Sequence, residues 1–506
     1  MEILQNLVEG FGTLVGSGIS DIAWWQPILV IAGGVIIGIF VGVMPGLSAS
    51  TGVALMVPFT YGMHPLIALI LLASVYTASA YGGCITAIAI NTPGTPASVA
   101  LSFDGYALTR KGEPGRALGA AVIANCTGGI VGTFILILFS VPLAKAALAF
   151  GPPEYFALAI FGLTIVVSLE QKNMLKGAVS TVLGLLLMTI GLDPINGYMR
   201  FTFGRPELAD GISFIPALIG LFAVGEVLLN IERLKPVQAG LQIFSSKMPG
   251  RKELLGLRRS IVQSSALGTV IGVVPGAGAT IAAFIAYNES RRISKQPEMF
   301  GQGSLEGVAA PAAAAGGSVG GALIPLLTLG IPGSAATAVL VGALMLHGIT
   351  PGPELFTGKN SYLVYGLFAS LVLGNTILLV LGILGNRLWV KIIAAPKALL
   401  FPVILVIAFV GSFGVANSLF DVSVCLTFGI FGWILRRYGF PTPPMVLALI
   451  LGYMAESNFR RALVMGDASI FLTRPVSVVM LTLAFLSFSM PFIRAWRQKG
   501  KERPLS

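Results

Sequence analysis

Between Ile22 and Phe103 the chain runs 82 residues (22 to 103) without one Asp, Glu, Lys or Arg. A soluble domain carries about a quarter charged residues, because its surface must be wetted. A helix that crosses a bilayer needs about 20 consecutive apolar residues, so this run alone has room for several. A second charge-free stretch covers Gly307 to Pro353. Over the whole chain 10% of residues are charged and the mean hydropathy is +0.88. Such a chain cannot cover itself with polar side chains, so its solvent is mostly lipid. The apolar runs are continuous and lack a period of two, which argues against a transmembrane β-barrel. The expected fold is an all-α polytopic membrane protein with roughly 10–13 transmembrane segments.

Straight helices do not call for 63 Gly and 30 Pro. Helix breakers are tolerated at membrane depth where the freed backbone groups are buried in protein or line a wet cavity, so broken helices are expected. The net charge of +11 reads as basic cytoplasmic loops under the positive-inside rule, not as a nucleic-acid surface. Cys84, Cys126 and Cys425 stand in apolar stretches without CxxC spacing and read as small buried hydrophobes. The start of the chain lacks a basic n-region, so no cleavable signal peptide is expected.

The chain divides into five segments. Residues 1–26 form an N-terminal interfacial segment, and 27–232 a first transmembrane repeat. Residues 233–259 form a connector with seven Lys or Arg, from Arg233 to Arg259. A second repeat covers 260–462. Residues 463–506 give an extra helix over Val476–Phe492 and a basic tail. The charges place the connector and the C-terminus in the cytoplasm. The first basic residue is Arg110, which sets the N-terminus on the outer side. Two short apolar pieces, Leu47–Phe59 and Cys84–Ile90, are too short to cross alone and read as half-helices or hairpin arms.

The repeat rests on two motif pairs. Gly38-Ile-Phe-Val-Gly42-Val-Met-Pro45-Gly46-Leu-Ser48-Ala-Ser50 matches Gly268-Thr-Val-Ile-Gly272-Val-Val-Pro275-Gly276-Ala-Gly278-Ala-Thr280, at an offset of 230 (275 minus 45). Asn91-Thr92-Pro93-Gly94-Thr95-Pro-Ala-Ser98 matches Gly330-Ile-Pro332-Gly333-Ser334-Ala-Ala-Thr337, at an offset of 239 (332 minus 93). The difference of nine fits an insertion near Ser294–Gly303. A weaker match sets Pro216, Asn230 and Arg233 opposite Pro444, Asn458 and Arg461. Half one begins outside and half two follows a cytoplasmic connector, so the repeat is read as inverted. Sites in such proteins lie near the midplane between the repeats.

Glycines spaced by four suit close helix packing. The Pro-Gly that ends each run breaks the helix, because proline removes a donor and glycine lets the chain turn. Pro45, Gly46, Ser48, Ser50 and Thr51, with Pro275, Gly276, Gly278 and Thr280, are therefore helix-break and ion-site candidates, as are Pro93 and Pro332. Each second motif carries one hydroxyl after its Gly and another a helical turn later. These motifs read as the tips of two re-entrant hairpins. Asn91, Thr92, Gly94, Thr95, Ser98, Gly333, Ser334 and Thr337 are the candidate substrate residues. A helix N-terminus offers N–H donors and a partial positive charge, about 0.3–1 kcal/mol for an anion, without a buried Lys. Carbonyls freed by the break suit Na⁺. Asp104, Asp193, Asp421, Glu226, Glu289 and Glu456 lie near the ends of apolar segments and read mostly as interfacial or structural.

Enzyme readings fare poorly. The sequence has no HExxH, no phosphate-binding P-loop, no paired intramembrane aspartates and two His in all. No cofactor is expected, and energy must come from an ion gradient or another subunit. An ion channel or a membrane-embedded enzyme is the alternative. A channel needs selectivity rings along a pore, whereas paired breaks suit the occlusion of one small anion.

Gly42-Val-Met-Pro-Gly46-Leu, Tyr81-Gly-Gly83 and Ile90-Asn-Thr-Pro-Gly-Thr-Pro96 resemble the large membrane subunit of the bacterial tripartite tricarboxylate transporters. So do Gly272-Val-Val-Pro-Gly-Ala-Gly278, Leu329-Gly-Ile-Pro-Gly-Ser334, Gly191-Leu-Asp-Pro194, Arg200-Phe-Thr-Phe-Gly204 and Asn417-Ser-Leu-Phe-Asp-Val422. The resemblance runs from about Ile28 to Ala462. It implies a Na⁺- or H⁺-driven importer of citrate and other di- or tricarboxylates in the bacterial inner membrane. It also implies two partners, a small four-helix membrane subunit and a periplasmic solute-binding protein.

Overall fold

The structure is a computed structural model that describes residues 10–12, 23–44, 46–169, 174–193, 195–232, 248–276, 278–357, 360–386, 388–389 and 397–501. Helices make up most of it. The first half holds α1 (Gln26–Val43), α2 (Ala49–Met56, continued by a tighter turn to Thr60), α3 (Pro65–Ile90), α4 (Val99–Arg110), α5 (Pro114–Ala147), α6 (Pro152–Leu169), α7 (Met174–Met188) and α8 (Phe214–Glu232). The second half holds α9 (Arg251–Val273), α10 (Gly278–Ile293), α11 (Leu305–Leu329), α12 (Ala335–Leu346), α13 (Ser361–Leu384), α14 (Lys397–Ala416), α15 (Leu419–Arg437), α16 (Thr442–Met465) and α17 (Pro475–Lys501). Among the described residues the one sheet is a ribbon of β1 (Gly191–Leu192) and β2 (Met199–Arg200). Among the described residues eight helices are long and apolar enough to cross a membrane, and five apolar helices are shorter. The protein is an all-α, multi-pass membrane protein.

Local chemistry sets the helix limits. Proline opens α3, α5 and α6, where its missing N–H is no loss. Helices α3 and α11 both end on a left-handed residue, Asn91 (φ 53°) and Gly330 (φ 72°). These two positions are the ones that the motif alignment pairs, and Asn and Gly are the residues that adopt this conformation most cheaply.

Several expectations need revision. Tyr81-Gly82-Gly83 does not interrupt a helix, and Cys84–Ile90 is the last part of α3, not a separate arm. The last nine residues of the connector, 251–259, belong to α9. The C-terminal helix reaches Lys501 instead of stopping at Phe492. Residues 233–247 of the connector, Pro45, and all of the N-terminal segment 1–26 except 10–12 and 23–26 lie outside the described residues.

The chain forms two compact units, and they cut across the two halves: Met1–Lys145 with Ile215–Trp433, and Ala146–Phe214 with Ile434–Ser506. In the first unit α3 and α11 are almost wholly buried. Both are apolar all round, as a central helix must be. Helix α1 lies along α3, in the same direction, through small residues. Gly38 meets Val75, and Gly42 meets Ser79. Helix α9 lies along α11 in the same way, Gly268 on Ala314 and Gly272 on Ser318. The contacts are spaced by 37 residues (75 minus 38) in the first half and by 46 (314 minus 268) in the second. The difference is the nine residues by which the two motif offsets differ.

The two pairs run in opposite directions. Tyr76 of α3 touches Ser334, which follows Gly333, packed on Ala322 of α11. Further along α3, Ile88 touches Gly105 and Thr109 of α4. On that same α4, Asp104 bonds to residues 301–304, at the start of α11. As the α3 numbers rise, the α11 numbers beside them fall.

In the second unit α16 packs on α6 and α7, and α17 packs on α6. Phe156, Phe459 and Phe471 form an aromatic cluster with ring centroids 5.0–5.6 Å apart. Beside the ribbon, Asp193, Arg200, Glu456 and Arg460 form a closed ring of alternating charge, with closest N···O distances of 2.7–3.5 Å. The Asp193 carboxylate lies below the usual carboxylate range, held there first by the N–H groups of Asn196 and Ile195 and then by Arg460.

Candidate functional site

In each half the break at the end of the first helix and the break after the third helix meet. In the first half the chain leaves α3 at Asn91 and doubles back, so that Gly94 N–H approaches the Gly83 carbonyl at 3.4 Å. A Cβ on Gly94 would collide with the Gly42 carbonyl oxygen, so only glycine fits there. Gly42 belongs to the end of α1, next to the first break. In the second half Gly333 packs on Ala322, and its carbonyl accepts a hydrogen bond from Gly276 N–H at 3.1 Å.

These breaks are not hairpins with antiparallel arms. Thr95 stands beside Gly83, whereas Gly105 and Thr109 of α4 stand beside Ile88, and Thr109 Oγ1 donates to the Ile88 carbonyl at 2.7 Å. Helix α4 therefore advances in the direction of α3. In the second half, Gly333 lies at Ala322, and Pro351, just past the end of α12, lies at Gly330. Each long helix ends, its chain steps back by about ten residues, and a 12-residue helix restarts alongside. The expected re-entrant tips become stepped, discontinuous helices. The proline and the following glycine explain the step, since neither helix can run through them.

The hydroxyls beyond each break differ. Ser98 Oγ accepts from Thr95 N–H at 3.3 Å and donates to the Thr95 carbonyl at 2.7 Å. Thr95 Oγ1 is buried and has no hydrogen-bond partner among the described residues. A buried orphan hydroxyl costs about 1–3 kcal/mol. In the second half Ser334 N–H donates to Thr337 Oγ1 at 2.8 Å, and Ser334 Oγ accepts from Thr337 N–H at 3.2 Å, a reciprocal cap. Tyr76 OH lies 3.1 Å from Ser334 Oγ. The first N–H groups of α12, on Ala335 and Ala336, have no partner among the described residues. Asn91 and Thr92 are exposed, and Thr92 Oγ1 donates to the Ile90 carbonyl at 3.3 Å instead of joining these contacts; Pro93 is half-buried and Pro332 buried.

The first break has a cluster of its own. Ser48 Oγ lies 2.8 Å from Ser50 Oγ and 2.9 Å from Thr51 Oγ1, and Thr51 Oγ1 donates to the Phe222 carbonyl at 2.9 Å. Phe222 sits in a widened π-turn of α8, Gly220–Val224. Asn230 Nδ2 donates to the Gly46 carbonyl at 2.9 Å, where Gly46 has φ +92°. The second break is barer. Pro275, Gly276, Gly278 and Thr280 are half-buried, and Thr280 makes no side-chain hydrogen bond among the described residues.

Sequence reasoning did not give Tyr76 or Asn230 a place in this region. Asn230 was visible only as a member of the weak third repeat match. Tyr76 carried no signal, being one aromatic in a long apolar run. Asp104, read as interfacial or structural, is fully buried and fully bonded. Its Oδ1 accepts from the N–H groups of Gly301, Gly303 and Ser304 at 2.7–2.8 Å, and its Oδ2 accepts from Tyr287 OH at 2.9 Å. Among the described residues no group of three His, Cys, Asp or Glu could hold a metal ion.

The profile of the Tripartite tricarboxylate transporter TctA family matches residues 28–447. An uncharacterized 52.8 kDa protein from the TAR-I ttuC′ 3′ region of Agrobacterium vitis is 37% identical over 504 residues, covering 99% of both chains. A second uncharacterized protein, from the TAR-II ttuC′ 3′ region of Agrobacterium vitis, is 38% identical over 234 residues, 46% of this chain and 96% of that one. No solved structure matches the chain. The chain belongs to the tripartite tricarboxylate transporter TctA family and is a membrane subunit of a transport system.

Proposed function

We propose that the chain is the substrate-translocating subunit of a binding-protein-dependent secondary transporter that imports small di- or tricarboxylates. The paired breaks carry the reading. In each half a Pro-Gly break folds against a second break and a 12-residue helix starts beyond it, capped by Ser334 and Thr337 in the second half and preceded by the unpaired Thr95 hydroxyl in the first. Such helix starts hold an anion through N–H groups and the helix dipole, with no buried cation. The free Thr95 hydroxyl, the Ser334–Thr337 pair and the open N–H groups of α12 are the groups for a carboxylate to meet. The Ser48–Ser50–Thr51 oxygens offer a coupling Na⁺ hard ligands, and H⁺ coupling is the other option. The halves, with opposed α3 and α11, are read as inverted repeats, in keeping with a site at the midplane. Tyr76 of the first half closes on Ser334 of the second, which favours occlusion of one molecule over an open pore.

The family name supports a system of several subunits. The partners proposed are a small four-helix membrane subunit and a periplasmic solute-binding protein, with the chain in the bacterial inner membrane and its C-terminus in the cytoplasm. The test is uptake of labelled di- and tricarboxylates into proteoliposomes that hold the complex, under an inward Na⁺ or H⁺ gradient. The expected result is uptake that requires the binding protein and one of the two gradients. Absence of uptake of every carboxylate by a folded complex overturns the substrate class. Unsaturable flux without a gradient favours a channel.

A further inference from the structure

The first unit contains a cavity of about 760 Å³ between the outer ends of α9 and α10, where the chain turns towards the start of α11. Most of its lining residues are polar, including Arg258, Arg259, Gln263, Ser264, Ser290 and Lys295. Polar groups on membrane helices face water or protein, not lipid. Its acidic residues are already engaged: Glu253 with Arg116, Glu289 with Arg292, and Glu306 with Ser294. Arg258, Arg259 and Lys295 have no ion-pair partner among the described residues. Glu306 is held by a neutral hydroxyl and keeps its charge, so three free cations at the rim face one free carboxylate, and the cavity offers an anion an excess of positive charge with an amide and hydroxyls further in.

The inner end points at the candidate site. The cavity stops at Leu267 of α9 and Ala286 of α10. One helical turn deeper, about 6 Å, lie Ile271 and Ala282, which pack with Ala314 of α11. The second break, Val274–Gly278, follows directly. The adjacent face of α10 covers the chain just past the break after α3, since Ala283 and Tyr287 pack with Ala97 and Ala100. A single layer built largely of alanine separates the polar cavity from both breaks.

We propose that this cavity is the aqueous vestibule through which a carboxylate passes between the basic face of the membrane and the paired breaks. The inference rests on the carrier reading for what passes. Its wetness and its preference for anions stand independently. Arg258, Arg259 and Lys295 concentrate the anion, and α10 is the wall that must tilt to admit it. An excess of one sign of charge in a cleft raises local concentrations and rates by about 10-fold or more.

The test uses the reconstituted complex with Cys84, Cys126 and Cys425, all buried, replaced by Ala, and with Gln263→Cys or Ser290→Cys on opposite walls. The probes are the anionic sulfonatoethyl methanethiosulfonate and the cationic trimethylammonioethyl methanethiosulfonate. Each rate is divided by that reagent's rate with free glutathione. The expected ratio favours the anionic probe about threefold or more, added on the basic side only, and falls towards one with Arg258→Gln and Arg259→Gln together. Modification is expected to cut each variant's own uptake at least about fivefold, the added group plugging the route. Equal corrected rates, or complete modification with unchanged uptake, at both positions overturn the proposal. If the complex takes up no carboxylate even with its native cysteines, the carrier reading fails, and the rate ratio still decides whether the cavity is a wet anion site.

Discussion

Thr95 Oγ1 is a hydroxyl placed where it stabilises nothing in the folded chain. Replacing a buried, unpaired hydroxyl by a methyl of the same shape removes a desolvation penalty of about 1–3 kcal/mol. Thr95→Val should therefore keep or raise the thermal midpoint of the purified protein. If the hydroxyl serves the anion, the same change should lower carboxylate uptake about tenfold, while Thr95→Ser retains most of it. A drop in both stability and uptake with Val would make the residue structural. Gly94→Ala asks a different question, because the new methyl meets the Gly42 carbonyl. The stepped chain must then move, and misplacements near 1 Å can cost about 100-fold in a transport or catalytic step. Uptake by Gly94→Ala should fall by at least tenfold, and Gly33→Ala, whose methyl meets nothing within 4 Å, serves as the matched control. These glycines and hydroxyls were readable in the sequence because breakers recur at matched offsets. Tyr76 was not, because its partner Ser334 is 258 residues away and no local pattern marks such a contact.

At the scale of elements, single polar residues tie one helix end to another. Asp104 holds α4 to the turn that starts α11 through three N–H donors and the Tyr287 hydroxyl. Asp104→Ala leaves four donors unpaired, three of them buried, at a cost of about 1–3 kcal/mol for each group that water cannot reach. A fall of several degrees in the midpoint measured by tryptophan fluorescence is expected, and Asp104→Asn, which keeps an acceptor, should lose less. An unchanged midpoint for the alanine variant would show that the turn is held by other contacts. The ribbon end of the second unit makes a pH-dependent tie instead. Asp193 has its pKa lowered in the folded state, so the unfolded chain binds its proton first as pH falls. The stability it lends is present above the unfolded value of about 3.9 and is lost as pH falls through the folded value. The gap in thermal midpoint between the parent and Asp193→Asn should thus be constant near neutral pH and shrink below about pH 4. A gap that persists into stronger acid would remove the charge from the explanation. The sequence marked these acids only as residues at the ends of apolar runs, since the backbone donors that satisfy them come from loops with no pattern of their own.

For the whole molecule, hydropathy told the class and composition told that helices would break, because lipid leaves a chain few other solutions. The form of the breaks was not legible. A Pro-Gly between two apolar stretches fits a hairpin or a step equally well, and the choice is made by packing, with Gly83 and Ala322 providing flat places for the returning chain. The two compact units were hidden for a similar reason, since each collects segments from both halves of the chain. The direction of the repeat was inferred from where basic residues fall, and the geometry now gives it a physical consequence. Helices α3 and α11 run opposite ways within one unit, and both are long enough to cross the bilayer. Their starting ends must then open on opposite faces. Tyr61 precedes α3 and is exposed, and Gln302 precedes α11 and is exposed. In the cysteine-free background, a bulky impermeant maleimide should label Tyr61→Cys from the outer face of intact cells and reach Gln302→Cys only in inverted vesicles, where Lys111, Lys295 and the neighbouring arginines mark the cytoplasmic side. Labelling of both from one face would mean that the opposed helices do not both cross, and the inverted-repeat plan would have to be abandoned along with a midplane site. Labelling with the sides exchanged would keep the plan and reverse the protein in the membrane, against the charge rule.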